Sequence, residues 1–281
     1  MVCFFLQGDE NRFLLEWEKD GCKPEDDMNI GVIGLGRLGG ALVRGLAGKH
    51  SEDSVYGYNR TQSKALVLEK QCPGFRSCGS AAGVLELCDI VFLWMKPADA
   101  APVLDAHAGL IAARRTLLVS CAPNVPLRDY TPRWAECLPN VNMAVGKGVT
   151  VIHHAPALSE RDRMHVEGIL ARVGTVYASS AGDMLFYSAL CSCGPALYAT
   201  MAEMLADVLA ARRGYDRELC RRMVRETVLG TMILQEGEGA DAAEVVHRVA
   251  HPGGSTEGGV KHLAAVLPGM YEDMLKAMKK W

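Results

Sequence analysis

Three glycines follow a short apolar run in a pattern that could hold a dinucleotide. The segment Gly34-Leu35-Gly36-Arg37-Leu38-Gly39 stands between the apolar residues 30–33 and a stretch with helical spacing over 38–46. Gly34 would permit a tight turn, Gly36 would leave room for a pyrophosphate, and Gly39 would let the helix pack closely on the strand. The helix N-terminus would offer free N–H groups and a positive dipole end to the phosphates. We predict that Gly34, Gly36, Arg37, Leu38 and Gly39 bind the cofactor; the alternative is a glycine-rich turn that binds nothing.

The residues after the second predicted strand indicate which dinucleotide binds. An NAD-binding chain usually carries an acidic residue there, which accepts a hydrogen bond from the ribose 2′-hydroxyl. This chain has Asn59-Arg60-Thr61 instead. Arg60 can pair with a 2′-phosphate through two N–H groups, and Asn59 and Thr61 can add hydrogen bonds. NADP(H) is therefore predicted, with NAD(H) as the alternative cofactor and a plain surface arginine as the competing interpretation.

A second cluster, near the end of the chain, could bind an anion. It reads His251-Pro252-Gly253-Gly254-Ser255-Thr256 and precedes a helix-period segment. The N–H groups at the start of that helix could hold a carboxylate, and the two hydroxyls can donate or accept hydrogen bonds. The competing interpretation of Ser255 and Thr256 is plain N-capping of the helix.

Alternating strand and helix patterns predict an α/β fold with a parallel sheet that helices cover on both faces. The predicted strands are 30–33, 54–58, 89–94, 116–120, 149–152 and 173–177, and the predicted helices are 38–46, 63–69, 81–87, 98–110 and 160–171. Four prolines between 123 and 139 indicate an irregular segment. Later segments are all helical, at 183–213, 216–235, 240–249 and 256–267. We therefore predict an N-terminal extension over 1–27, a Rossmann domain over 28–179 and an all-helical domain over 180–281.

The composition is that of a globular protein without a nucleic-acid or membrane partner. The 281 residues are 49% hydrophobic and 22% charged, with a net charge of −3. No apolar run reaches the roughly 18 residues of a membrane helix. Ten cysteines without small-domain spacing predict reduced thiols in a cytoplasmic protein. Residues 1–27 are polar and lack a clear period, and Met28 directly precedes the first strand of the domain, so we interpret this extension as an appendage or a start-codon artefact.

Five landmarks together resemble the pyrroline-5-carboxylate reductase family, which reduces a cyclic imine acid to proline with NAD(P)H. The resemblance runs from Asn29 to about Ala277. Its landmarks are the glycine turn, Lys96-Pro97 after a buried strand, Leu138-Pro139-Asn140, Gly194-Pro195-Ala196 and Pro252-Gly253-Gly254-Ser255-Thr256. The resemblance implies a Rossmann domain and a helical domain that dimerises by interlocking, with higher rings of dimers in some members.

The same resemblance implies roles for residues of this chain. Backbone N–H groups of Gly253, Gly254 and Ser255 would hold the substrate carboxylate, and Thr256 would place its hydroxyl near the ring nitrogen. Thr256 and Ser255 are thus the predicted catalytic residues. Asn140, with Lys96 and Pro97, would line the nicotinamide side, in an active site between one subunit's nucleotide domain and helices that include the partner's.

Departures from the family pattern fall mostly on the substrate side. In the segment around Gly194, Cys191 and Cys193 replace two serines, Ser192 replaces a glycine and Leu197 replaces a frequent tyrosine. Elsewhere, His251 replaces a serine and Val141-Asn142 replaces Thr-Pro. Trp94 and Met95 are bulkier than the residues usual at their positions. Because of these changes, two alternatives remain: a paralogue that reduces a different imine, or a regulatory protein that binds NADP without catalysis. No metal is predicted. A β-hydroxyacid dehydrogenase would carry a catalytic lysine on the first long helix after the nucleotide domain. No lysine occurs between Lys147 and Lys261, so this class of enzyme is set aside.

Overall fold

The chain forms two units, Met1–Pro195 and Ala196–Trp281. The computed structural model describes residues 2–5, 14–16, 28–47, 54–122 and 125–278. Most of the predicted extension over 1–27, and Pro123 in the predicted irregular segment, lie outside the described residues. The domain boundary predicted at 179 stays a prediction.

A ten-stranded sheet runs through the first unit. Its strands are β1 (Val2–Phe5), β2 (Leu14–Glu16), β3 (Ile30–Ile33), β4 (Val55–Tyr58), β5 (Phe75–Ser77), β6 (Ile90–Leu93), β7 (Leu117–Ser120), β8 (Trp134–Leu138), β9 (Gly148–His154) and β10 (Gly174–Ala178). They lie in the order β2-β1-β10-β9-β8-β7-β6-β3-β4-β5. From β5 to β8 all neighbours are parallel, which is the strand order of a doubly wound dinucleotide-binding sheet. The predicted fold class is confirmed.

Helices cover both faces of this sheet. They are α1 (Arg37–Ala47), α2 (Gln62–Gln71), α3 (Ala81–Leu87), α4 (Pro97–Arg114), α5 (Glu160–Ala171) and α6 (Met184–Leu190), with 3₁₀ turns at Leu127–Asp129 and Val141–Val145. One buried cluster joins α1, α2 and α5 to the sheet, and another joins α3 and α4 to it. Strands β3, β6 and β7 are buried at every position, which explains why they read as continuous apolar runs.

Four features differ from the predicted elements. Strand β8 lies inside the segment whose prolines predicted irregular structure, and it pairs antiparallel with β9. Strand β5 was missed because three residues are too few to show a period. Strands β1 and β2 lie in the extension that shows no clear period, where β1 pairs with β10. The single helix predicted over 183–213 is two helices, because Pro195 cannot continue the ladder of a helix that precedes it.

The second unit consists of long helices. They are α7 (Gly194–Arg213), which begins just before the unit, α8 (Arg217–Glu238), α9 (Ala242–Val249) and α10 (Ser255–Ala277). The arginines that open α8 pair with acidic groups: Arg217 binds Asp207 at 2.5 Å, and Arg221 binds Glu203. Arginines paired with acidic side chains in this way are typical of a solvated helix face.

Large apolar side chains line the outside of the second unit. Among its described residues only Ala206, Ala210 and Val224 are buried. Ten large apolar side chains on α7, α8 and α10 are between 44% and 64% exposed: Met204, Leu205, Val208, Leu209, Leu229, Met232, Ile233, Leu263, Val266 and Met270. Large apolar side chains exposed in this number are typical of a protein–protein interface.

A bidentate ion pair joins Arg133, the residue before β8, to Asp162 in α5. Arg133 Nε lies 2.9 Å from Asp162 Oδ2, and Arg133 Nη2 lies 2.5 Å from Asp162 Oδ1. Arg133 Nη1 also donates to the carbonyl of Arg115, a residue in the left-handed conformation at the end of α4. The Asp162 side chain is 11% exposed, and its bonds to Arg133 hold the pKa of its carboxyl below the usual range.

Replacing Arg133 with methionine is expected to lower the free energy of unfolding by about 3 kcal/mol, because it leaves the buried Asp162 carboxylate without its cation. The ion pair stabilises the folded protein fully at pH values above the pKa of the Asp162 carboxyl in the unfolded chain, which is about 3.9. This stabilisation is lost as the pH falls through the lower pKa of the same carboxyl in the folded protein. The deficit should therefore be largest near neutral pH and vanish in acid. Urea unfolding between pH 2 and 7 measures it. Arg128→Met, at an exposed site, is the control; an equal loss in both variants would contradict the assignment.

Candidate functional site

Three loops meet at one edge of the sheet. Strands β3 and β6 are neighbours, and the chain continues from β3 to β4 on one side and from β6 to β7 on the other. A crevice forms outside the carboxyl ends of parallel strands where the strand order reverses in this way, and ligands bind there. The loops that follow β3, β4 and β6 carry the glycine turn, Asn59-Arg60-Thr61 and Lys96-Pro97.

The three glycines of the turn differ in what surrounds them. Gly34 has φ +102°, and a Cβ there would lie 2.5 Å from the carbonyl oxygen of Trp94. A Cβ on Gly39 would lie 2.1 Å from the carbonyl oxygen of Gly34. A Cβ on Gly36 would meet nothing within 4 Å. Gly34 and Gly39 are thus required by the fold itself, whereas the space beside Gly36 is open.

The start of α1 fits a phosphate-bearing ligand. The helix begins at Arg37, and the first bond of its ladder runs from Gly40 N to Gly36 O at 2.9 Å. The side chain of Arg37 is exposed, while Leu38 packs against the core and fixes the turn. The open space at Gly36 therefore adjoins a helix N-terminus, whose N–H groups attract an anion.

Asn59 supports the glycine turn with its side-chain amide. Its Oδ1 accepts a hydrogen bond from Leu35 N at 3.0 Å, and its Nδ2 donates to the carbonyl of Thr61 at 3.1 Å. Both ends of the amide are thus engaged within the protein. The predicted hydrogen bond from Asn59 to a cofactor phosphate stays a prediction, but the structure shows a positioning role that the sequence did not reveal.

Arg60 and Thr61 lie on the surface beside the crevice. The Arg60 side chain is 87% exposed, and its Nη1 lies 3.3 Å from Oδ1 of Asp99 in the first turn of α4. Thr61 is exposed at the N-cap position of α2 without a side-chain capping bond. Both side chains are free to turn toward a ligand. Asp99 was missed, because nothing in the spacing of the two residues shows that they meet.

Lys96 and Pro97 begin α4 at the same edge. Lys96 is the exposed N-cap residue and Pro97 the first helical residue, where its fixed φ suits a helix start. Trp94, just before them, points into the core: it is 4% exposed and packs edge-on against Phe92, with ring centroids 5.6 Å apart. The bulk of Trp94 is therefore accommodated inside the sheet domain.

Asn140 follows the carboxyl end of β8 and is 4% exposed. Its Oδ1 accepts hydrogen bonds from Asn142 N at 3.2 Å and Val149 N at 3.3 Å, so it caps the 3₁₀ turn at Val141–Val145. The adjacent carbonyl of Pro139 accepts a hydrogen bond from Ser192 Oγ at 3.2 Å. Two segments that depart from the family pattern, around Asn142 and Ser192, thus meet beside Asn140.

The surroundings of two thiols near this edge, those of Cys121 and Cys191, favour the protonated form. Burial raises the pKa of Cys121, which follows β7, to about 12, and burial also raises the pKa of Cys191. Thiols of this kind are poor nucleophiles and poor metal ligands. Among the described residues no group of three or more His, Cys, Asp or Glu side chains could hold a metal ion.

In the second unit, the Gly253 loop donates to a carboxylate. Gly253 has φ +75°, and its N–H lies 2.8 Å from Oε2 of Glu257. The other oxygen of Glu257 accepts from Lys261 Nζ at 2.8 Å. Lys261 first, and then the Gly253 N–H, lower the pKa of the Glu257 carboxyl. Sequence reasoning missed Glu257, although an acidic residue in the first turn of a helix is a known signal for a bond back to the chain before it.

Ser255 and Thr256 do not cap α10. The helix begins at Ser255, and Gly254 occupies the N-cap position. Ser255 and Thr256 are therefore the first two helical residues, and both are exposed. The interpretation of these hydroxyls as plain N-caps is wrong, and both are accessible to a ligand.

No helix among the described residues has the length and apolar character needed to cross a membrane.

Two family models match separate parts of the chain. The model described as pyrroline-5-carboxylate reductase dimerisation matches residues 182–280. The model described as NADP oxidoreductase coenzyme F420-dependent matches residues 29–124. The matched ranges follow the observed order of a sheet domain and then a helical one.

Known proteins resemble the chain over nearly its whole length. It is 28% identical to a pyrroline-5-carboxylate reductase of Treponema pallidum, over 90% of this chain and 98% of that protein. It is 27% identical to the one of Aquifex aeolicus, over 84% of this chain and 89% of that protein. A Plasmodium falciparum pyrroline carboxylate reductase, crystallised with NADP bound, superimposes with a TM-score of 0.74 at 22% identity, over 90% of this chain and 95% of that one. At this identity the structural likeness shows the fold.

Proposed function

We propose that the chain is a member of the pyrroline-5-carboxylate reductase family and that it reduces pyrroline-5-carboxylate to L-proline with NADPH. The product places the enzyme in proline biosynthesis, and we propose that it works in the cytoplasm. The observation that carries the proposal is the open space at Gly36, next to a helix N-terminus at the reversal of strand order. Few ligands other than a dinucleotide need a glycine there.

The residues at the sheet edge are proposed to bind NADP(H), with NAD(H) as a second cofactor. Backbone groups from Gly34 to Gly39 would hold the pyrophosphate, and Arg60 and Thr61 the 2′-phosphate. Lys96, Pro97 and Asn140 would lie on the nicotinamide side, with Asn140 acting by holding the 3₁₀ turn in place. The bound cofactor supplies a hydride, and the protein supplies position and electrostatics.

The Gly253 loop is proposed to bind the substrate carboxylate. Its N–H already donates to the Glu257 carboxylate, so this backbone suits such a group. The substrate carboxylate would take that place, with a further bond from the Ser255 N–H. The Gly254 N–H donates to the carbonyl of His251 at 2.9 Å, so it would have to leave that partner to join them. The exposed hydroxyl of Thr256 would hydrogen-bond the imine nitrogen, and so favour the charge distribution in which the imine carbon accepts a hydride.

The helical unit is proposed to form a homodimer, and rings of dimers beyond it. The exposed apolar side chains of α7, α8 and α10 support this assembly, because burying them would remove a large apolar area from water. No nucleic acid or membrane is proposed as a partner.

One assay tests the proposed activity. Purified protein is mixed with NADPH and pyrroline-5-carboxylate, and the nicotinamide absorbance is followed. Proline formation that depends on both reactants supports the proposal. Turnover confined to other cyclic imines would instead favour a paralogue with a changed substrate, an alternative that the altered Cys191-Ser192-Cys193 segment beside Pro139 keeps open. NADPH binding without turnover on any imine would favour a regulatory protein.

Replacing Arg60 with alanine is expected to weaken NADPH binding about tenfold to 100-fold and to change NADH binding less than twofold. The physical reason is that a charge-assisted pair with phosphate contributes roughly 1.5–3 kcal/mol, whereas NADH offers only a hydroxyl there. Fluorescence titration gives both dissociation constants. Arg76→Ala, an arginine on β5, is the control and should change neither. Equal weakening of both cofactors by Arg60→Ala would contradict the role of Arg60.

A further inference from the structure

Asp99 is the residue that faces Arg60 at the edge of the crevice. It lies in the first turn of α4, three residues after the N-cap Lys96, and its Oδ1 is 3.3 Å from Arg60 Nη1. The Asp99 side chain is 47% exposed and that of Arg60 is 87% exposed. Within the part of the chain that the structure describes, Asp99 is the acidic group paired with Arg60. An exposed pair of this kind contributes about 0–1 kcal/mol, so Arg60 can leave Asp99 at little cost.

The position of Asp99 has opposite effects on the two cofactors. A 2′-phosphate bound by Arg60 would carry its charge to within a few ångströms of the Asp99 carboxylate, and like charges at such a distance repel. A 2′-hydroxyl carries no charge and can donate a hydrogen bond to a carboxylate, as it does to the acidic residue of NAD-binding chains. One carboxylate thus opposes NADPH and favours NADH.

We propose that Asp99 is a specificity-determining residue that moderates the preference for NADPH set by Arg60. This inference rests on the proposed function, since it requires that Arg60 binds the ribose end of the cofactor. It would allow a chain with an arginine after β4 to bind NADH as the proposed second cofactor. The carboxylate that an NAD-binding chain carries after its second strand is here supplied by the first turn of α4.

The test is the variant Asp99→Asn, which keeps the shape of the side chain and removes its charge. Dissociation constants for NADPH and NADH are measured separately by fluorescence titration, without substrate. We expect the ratio of the NADH constant to the NADPH constant to rise about fivefold, as expected for removing one screened unit charge near the phosphate. The rise should shrink in about 0.5 M salt, because added ions screen exposed charges.

Glu86→Gln is the matched control, since it removes one negative charge from an exposed site on α3 and should leave the ratio unchanged. A ratio that stays within twofold of the native value in Asp99→Asn, or one that falls because Asp99 serves to orient Arg60, would overturn the inference. Failure of the native protein to bind either cofactor would overturn the proposed function as well. A ratio that changes equally in both variants would also overturn the inference, because it would reflect net charge alone.

Discussion

Gly36→Ala is expected to fold as the native protein does and to bind NADPH about tenfold to 100-fold more weakly. The added methyl meets no protein atom within 4 Å, so the free energy of unfolding should not fall. The methyl occupies the space proposed for the pyrophosphate, and forcing an extra methyl into a filled site costs roughly 1–3 kcal/mol. Urea unfolding and cofactor titration on the same preparation measure the two effects separately.

Gly39→Ala and Gly109→Ala complete the comparison. The methyl on Gly39 would stand 2.1 Å from the Gly34 carbonyl oxygen, so the backbone must move, at a cost of about 3 kcal/mol in unfolding free energy. Gly109 lies inside α4 in open space, and alanine there should stabilise the helix by up to about 1 kcal/mol. Native cofactor affinity in Gly36→Ala would remove the turn from the binding site. Equal destabilisation by all three changes would contradict the distinction between them.

Thr256→Ala is expected to lower kcat about 100-fold with little change in stability. The hydroxyl does not cap α10, so its removal should leave the helix intact. A positioned hydrogen bond to the reacting group contributes on the order of 100-fold or more to the rate. Steady-state kinetics with pyrroline-5-carboxylate at saturating NADPH give kcat and KM. Thr256→Ser is the control, since it retains the hydroxyl and should keep most of the activity. Unchanged kinetics in Thr256→Ala would remove its catalytic role.

Elements of the sheet domain that are determined by residues close together in the chain can be predicted from the sequence. Glycines 34, 36 and 39 follow a strand and open a helix, and each of these signals can be read within about ten residues. The continuous apolar runs of β3, β6 and β7 predict strands buried on both faces, and the structure has them so.

Features that depend on distant residues could not be predicted in this way. Asp99 meets Arg60 only because β4 ends at the same edge of the sheet at which α4 begins. Asn59 accepts a hydrogen bond from the N–H of Leu35, which is likewise distant from it along the chain. Strand β8 is set by its pairing with β7 and β9, which outweighs the prolines around it. Each of these contacts is a product of the tertiary fold, and no short pattern in the chain encodes it.

The unequal surroundings of the three glycines also bear on how such a chain would evolve. In a descendant that no longer used a cofactor, selection for folding alone would still keep Gly34 and Gly39, because backbone atoms exclude any side chain at both positions. Gly36 would be free to drift. A chain that keeps the first and third glycines of the pattern but lacks the middle one would therefore be a relative that has kept the fold and lost the ligand.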